Sequence, residues 1–204
     1  MPLPLEDHVR AVLLENERSV SFYKAVSEGW SAFEENYPLR HRWIRKSSGR
    51  HMVWEEVARR LKAVASNDSG IEVLEHQDTL SLILENEVLI RLKHADASLA
   101  TQNYPTIEAQ AFDDHDVDLF GYSGLQRVRL CYVLNQFESD LVWVGVAAHT
   151  KGKFLWKIEL DRAGSVAEPA RLPLSEEQAD TARLARLRHP ENGKADDRKN
   201  KKNG

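Results

Sequence analysis

Apolar residues at Leu5, Val9, Val12, Leu13, Val20, Tyr23, Val26, Trp30, Phe33 and Tyr37 recur mostly three or four positions apart, the spacing of one helical face. The pattern predicts a long helix, with Gly29 as its candidate interruption. Asn36-Tyr37-Pro38 should end it, because a proline biases the residue before it away from helical geometry. A basic connector over 39–50 follows, and then Trp54, Val57, Leu61 and Val64 restore the period. This second amphipathic helix should stop in Ser66-Asn67-Asp68-Ser69-Gly70, a cluster that favours turns.

Beyond Gly70 the period changes from about 3.6 to 2. Leu80, Leu82 and Leu84 alternate with oppositely facing positions, Glu85-Asn86-Glu87 interrupts, and Val88, Ile90 and Leu92 alternate again. That is the signature of a hairpin with one buried face, and Ile71-Glu72-Val73 reads as a further strand before it. Asn103-Tyr104-Pro105-Thr106 opens a candidate short helix running through Phe112. Three more strands are expected over 128–134, 141–147 and 154–160, and their short connections favour an antiparallel meander.

The expected fold is α+β: an N-terminal helical pair packed on a mostly antiparallel sheet of five to six strands, with a short C-terminal helix. A single domain should cover 1–189, made of a helical part (1–66), a sheet part (67–160), and a linker and C-terminal helix (161–189). Ser175-Glu176-Glu177-Gln178 has the capping-box spacing that would start that last helix. The tail 190–204 is almost wholly charged or small, a composition that predicts disorder.

At 204 residues, with 42% hydrophobic and 29% charged positions, the chain has enough apolar material for one substantial core. Cys131 is the only cysteine, so an internal disulfide and multi-thiolate zinc sites are excluded and a reducing compartment is expected. The N-terminus lacks a basic flank followed by an apolar run, and no stretch approaches about 18 uninterrupted apolar residues. These features predict a cytoplasmic protein without membrane contact.

The net charge of −4 conceals segregation. Arg40, Arg42, Arg45, Lys46, Arg50, Arg59, Arg60 and Lys62 are opposed locally only by Glu55 and Glu56. Between 67 and 119, by contrast, acids far outnumber Arg91 and Lys93. Blocks of this kind attract charged partners while the whole chain stays near neutral. The eight basic residues, interleaved with His41 and Trp43, are therefore the candidate surface for a partner protein or for nucleic-acid phosphates.

Catalytic patterns are missing. Lys151-Gly152-Lys153 lacks the upstream glycine and hydroxyl of a phosphate-binding loop and reads as a hairpin turn. Gly121-Tyr122-Ser123-Gly124 is one residue short of a nucleophile elbow. Asp113-Asp114-His115-Asp116-Val117-Asp118 is the densest group of oxygen and nitrogen ligands, but the glycine and glutamate of a calcium loop are absent and a solvated acidic loop is expected. His94-Ala95-Asp96 reads as surface hydrogen bonding, and Cys131 as a small core residue. Trp30, Trp54, Trp143 and Trp156 fall at periodic positions and predict core packing. No catalytic residue, metal or cofactor is expected.

Arg91-Leu92-Lys93, Asn103-Tyr104-Pro105-Thr106 with Ala109, Tyr132-Val133-Leu134-Asn135 and Trp156 together resemble a group of uncharacterised bacterial proteins. That group is carried on prophages and other mobile elements, commonly encoded beside an ImmA/IrrE-type metallopeptidase. The resemblance spans roughly positions 80 to 160 and brings no catalytic residues with it. It implies a mobile-element, defence or toxin–antitoxin setting, with a toxin or metallopeptidase as partner. The expected function is a non-enzymatic interaction protein, antitoxin-like or regulatory. The alternatives are nucleic-acid binding through 40–62 and a metal-dependent enzyme of unfamiliar type.

Overall fold

The computed structural model describes residues 3–76, 79–101, 107–115 and 124–164. The first helical segment is two helices, α1 (Glu6–Leu14) and α2 (Arg18–Asn36), joined by a short 3-10 turn. The break falls at Asn16 and Glu17, both at left-handed φ near +50°, and not at Gly29 as the sequence suggested. Gly29 is buried in the middle of α2. Its glycine character serves a close helix crossing: a β-carbon there would stand 2.7 Å from Val57 Cγ2 and 3.0 Å from the Val57 backbone.

A 3-10 turn at Arg40–Arg42 leads into α3 (Lys46–Asn67). This helix starts well before the first periodic apolar residue, Trp54, so the end of the basic connector is itself helical.

Six strands follow in spatial order equal to chain order: β1 (Ile71–His76), β2 (Thr79–Leu84), β3 (Val88–Ala95), β4 (Gln126–Leu134), β5 (Leu141–Thr150) and β6 (Lys153–Glu159). Every neighbouring pair is antiparallel except β3 and β4, which run parallel with Arg91 beside Arg129 and His94 beside Tyr132. A parallel neighbour requires the chain to cross back to the same end of the sheet, and the crossover carries α4 (Ile107–Asp113). The expected α+β fold with N-terminal helices on a mostly antiparallel six-stranded sheet is present.

The strand period sorts residues onto two faces. Leu82, Leu84, Val88, Ile90, Val128, Leu130, Tyr132, Val144 and Val146 join Val9, Leu13, Phe22, Val26, Phe33, Val57 and Leu61 of α1–α3 in the main core. Ile83, Leu89 and Leu125 meet Phe112 of α4 in a separate cluster on the opposite face. Cys131, fully buried with Ala95, Val133 and Ala147, is a core residue; burial pushes its thiol up to about 12, against weaker pulls from Arg129 and Lys93.

No helix among the described residues is long and apolar enough to cross a membrane. The C-terminal helix and charged tail expected from the sequence lie outside the described residues.

Candidate functional site

The basic connector becomes one wall of a groove of about 410 Å³. Three rings build its floor: Trp30 and Phe33 from α2 lie 5.6 Å apart between centroids, and Trp43 packs edge-on to Phe33 at 6.1 Å; outside the lining, Tyr37 meets Trp43 at 5.4 Å. Arg40 lies over both Trp30 (6.0 Å) and Phe33 (5.5 Å) while donating to Glu34 at 2.6 Å. A guanidinium held over aromatic faces keeps its charge beside an apolar surface.

The turn between β4 and β5 supplies the other wall. Asn135 Oδ1 accepts the backbone N–H groups of Phe137 (3.1 Å) and Ser139 (3.0 Å), and its amide donates to Asp140 (2.7 Å). This Asx-type geometry projects Phe137 outward, 74% exposed. It also turns Glu138 toward Arg50, which donates to one carboxylate oxygen from Nε (3.1 Å) and from an Nη (2.6 Å). Beside the groove Ile44 is 100% exposed, and Leu39 and Met52 are also exposed.

The eight basic residues singled out from the sequence differ in their surroundings. Arg40, Arg45 and Arg50 line the groove. Arg42 and Arg45 are exposed, and Lys46 opens α3. On α3, Arg59 and Arg60 both bond Glu56, and Lys62 reaches Glu75 at 2.8 Å. Those last three charges are paired within the chain, and Glu56 is drawn below the usual carboxylate range chiefly by Arg60.

His94, expected as a surface hydrogen-bonding residue, is instead half-buried, its ring 5.3 Å from Tyr132 in an edge contact. Burial first, then Arg50, pulls its pKa below the ordinary imidazole value, with Glu138 and Asp96 opposing. Asp96 does not orient it as a base. Its carboxylate accepts Ser98 N–H (2.8 Å), Ser98 O–H (2.6 Å) and Ala100 N–H (3.1 Å) and shapes the following loop.

The opposite face of the sheet holds a second polar constellation that sequence reasoning missed. Arg91, Arg127 and Arg129 are buried there. Arg91 lies 4.3 Å from the Phe112 ring centroid and donates to Ser81 Oγ at 3.3 Å. Arg127 donates to the carbonyls of Ala111 (2.8 Å) and Asp114 (3.1 Å), satisfying the C-terminal end of α4. Arg129 donates to Thr101 Oγ1 at 3.0 Å and to Asp113. The signal was present as Arg127-Val128-Arg129-Leu130, where alternation sends both arginines away from the face that buries Val128 and Leu130.

The acidic run is split by this arrangement. Asp113 pairs with Arg129, Asp114 stands 3.6 Å from Lys151, and buried His115 donates through Nε2 to the His149 carbonyl at 2.9 Å. Asp116 and Asp118 lie outside the described residues. Among the described residues no group of three or more His, Cys, Asp or Glu could hold a metal ion.

Comparison of the chain with protein-family models, with curated proteins and with solved structures found no match.

Proposed function

We propose that the protein is a non-catalytic interaction protein whose connector groove takes an acidic segment of a partner protein bearing aliphatic or aromatic side chains. One observation carries this reading: an aromatic floor flanked by the fully exposed Ile44 and by exposed Phe137, in a groove whose lining carries three guanidinium groups and one carboxylate. Exposed large apolar residues clustered around a concavity mark a contact surface. Arg40 and Arg50 each already face an acid of the chain, Glu34 and Glu138, so it is the exposed Arg45, with exposed Arg42 nearby in the connector, that selects an acidic occupant and speeds its encounter. In the mobile-element setting implied by the resemblance of positions 80–160, the partner is a toxin or a metallopeptidase, and the protein its antitoxin-like regulator.

Calorimetry with two synthetic peptides tests this. One alternates Glu and Asp with Leu and Trp; the other replaces each acid by Lys. The acidic peptide is expected to bind and the basic one not. Ile44→Glu and Arg45→Glu should each weaken binding by about tenfold or more, while changing stability by no more than about 0.5 kcal/mol, because both side chains are exposed. Equal binding of the two peptides, or none, overturns the reading. So does binding of duplex DNA that weakens steeply with salt and is lost in Arg42→Ala and Arg45→Ala, which would make the segment a phosphate-binding surface.

A further inference from the structure

We infer that the chain pairs with a second copy of itself through the outer edge of β6, the two copies related by a two-fold axis at Ile158. The contact uses none of the groove residues. β6 ends the sheet, with β5 on one side of it, and the ladder fixes which backbone groups that neighbour takes. Directly opposed residues of an antiparallel pair alternate between exchanging two hydrogen bonds and exchanging none. Leu160 N–H donates to the carbonyl of Val144 at 3.0 Å, while Ile158 faces Val146 and Trp156 faces Ala148 in the same register. Trp156, Ile158 and Leu160 therefore turn their N–H and C=O groups to β5. Lys157 and Glu159 turn theirs outward, where no other strand lies beside them among the described residues.

The side chains at those two positions make the edge complementary to itself. Trp156, Ile158 and Leu160 pack in or against the main core, so Lys157 and Glu159 project from the opposite face, both exposed. In an antiparallel pair centred on Ile158, Lys157 stands opposite the partner's Glu159, and Glu159 opposite the partner's Lys157. These are the same residues whose backbone groups point outward. Four main-chain hydrogen bonds and two opposite-charge pairs thus form in one register. On the core face Ile158 meets Ile158 across the axis and Trp156 meets Leu160. Such reciprocity is what a two-fold contact requires. Moving the axis by one residue either way sets Lys157 against Lys157 or Glu159 against Glu159, and like charges directly opposed are unfavourable.

Within the chain Lys157 lies over the Trp143 ring at 5.8 Å, and among the described residues neither it nor Glu159 forms an ion pair. Sheet edges are commonly blunted by lysines and bulges. β6 has a bulge, at Leu155, where the register slips against Ala148 and His149, but it lies outside 156–160 and bounds the regular stretch. Protection by charge calls for one sign, whereas here two signs alternate in an order that matches its own reversal. The other edge strand offers the contrast: β1 carries Glu72 and Glu75 with neither lysine nor arginine, and has no such self-complement. Five residues from each copy make a small contact, so the dimer is expected to be reversible, with a dissociation constant of about 10–100 µM.

Sedimentation velocity of the full chain, from about 1 µM to about 1 mM, tests this. Wild type should pass from monomer to dimer across that range, and more weakly at high salt. Lys157→Glu and Glu159→Lys each turn both cross-copy pairs into like charges, and each should weaken the dimer at least about tenfold. Combining the two exchanges restores both pairs in reversed order and should return the constant to within about threefold of wild type. Both positions are exposed, so circular dichroism should show each variant folded. Ile44→Glu should leave the dimer intact, which separates this contact from peptide binding in the groove. A chain that stays monomeric at every concentration overturns the inference and leaves the edge to a strand of another protein. A dimer that both single exchanges leave unchanged overturns it too, as does one that the double exchange fails to restore.

Discussion

Replacing Arg18 with Met lowers the stability of the fold by about 3 kcal/mol, measured as a fall in the urea midpoint. Arg18 opens α2 and is only 1% exposed. Its Nε and one Nη donate to the two carboxylate oxygens of Asp68 at 2.7 and 3.1 Å, a second Nη reaches the Val12 carbonyl of α1 at 3.3 Å, and Glu85 completes the cluster. One guanidinium thus ties together the end of α1, the residue following α3 and the turn between β2 and β3. Gly70 leaves room beside it: a β-carbon there would meet the ends of the Glu85 and Arg18 side chains, which would have to shift.

Met fills much of the same volume, so packing is nearly conserved and the loss is electrostatic. Removing one member of a buried pair leaves the other charged and poorly solvated, which typically costs about 3–5 kcal/mol. The lower end applies because the Glu85 side chain is 38% exposed and recovers water, whereas that of Asp68 is 12% exposed and recovers little. Combining Arg18→Met with Asp68→Leu should recover part of the loss. A double variant less stable than the single one by the full cost of a second independent change would contradict the electrostatic origin.

The same cluster sets a pH dependence. Asp68 is held below the usual carboxylate range first by its hydrogen bonds from Arg18, then by the Gly70 amide, against the opposing effect of burial. A carboxylate depressed in the folded state contributes stability that is complete above its unfolded pKa and is lost as pH falls through the folded value. The wild-type chain should therefore lose stability on acidification more steeply than Arg18→Met. The gap between the two midpoints should narrow as pH falls below about 4, the unfolded carboxylate value, so that it is smaller at about pH 3 than at pH 7; a gap that stays constant would place the stabilisation elsewhere.

Helices and strands were legible where one face of an element carries the period. The hairpin of Leu80, Leu82, Leu84 against Val88, Ile90, Leu92 lies where alternation put it, with Glu85 and Asn86 in the left-handed turn between. Two kinds of feature were not legible. The break at Asn16 and Glu17 carries no glycine or proline to announce it, and the start of α3 carries no apolar residue until Met52, because both depend on how the helices meet and not on local propensity. The groove was half visible: its arginines stood out as a charge block, whereas Phe137 and Glu138 arrive from a turn some ninety residues later in the chain. The buried arginines Arg91, Arg127 and Arg129 were readable as facing away from the core, but their burial depends on α4 crossing over that face.

Gly29 shows how such a tertiary requirement overrides a local preference, and Gly29→Ala is expected to destabilise the protein by about 2 kcal/mol. Taken alone, α2 would gain about 1 kcal/mol from the exchange, since alanine is the better helix former. Against that gain, the new methyl would lie 2.7 Å from Val57 Cγ2 and 3.0 Å from the Val57 Cα and N. The first contact can be relieved by a side-chain shift. The other two are to backbone, so α2 and α3 must separate, and both carry the main core between them through Phe22, Val26, Phe33, Val57 and Leu61. Overpacking that moves backbone typically costs about 1–3 kcal/mol, and here the separation also loosens the contacts around it. A double-mutant cycle with Val57→Ala isolates the cause. That change removes Cγ2 but leaves the two backbone contacts, so the double variant should be more stable than additivity predicts by about 0.5–1 kcal/mol while remaining less stable than wild type. If Gly29→Ala instead raised the urea midpoint, helix propensity would outweigh overpacking, and the close crossing of α2 and α3 would not be what requires glycine.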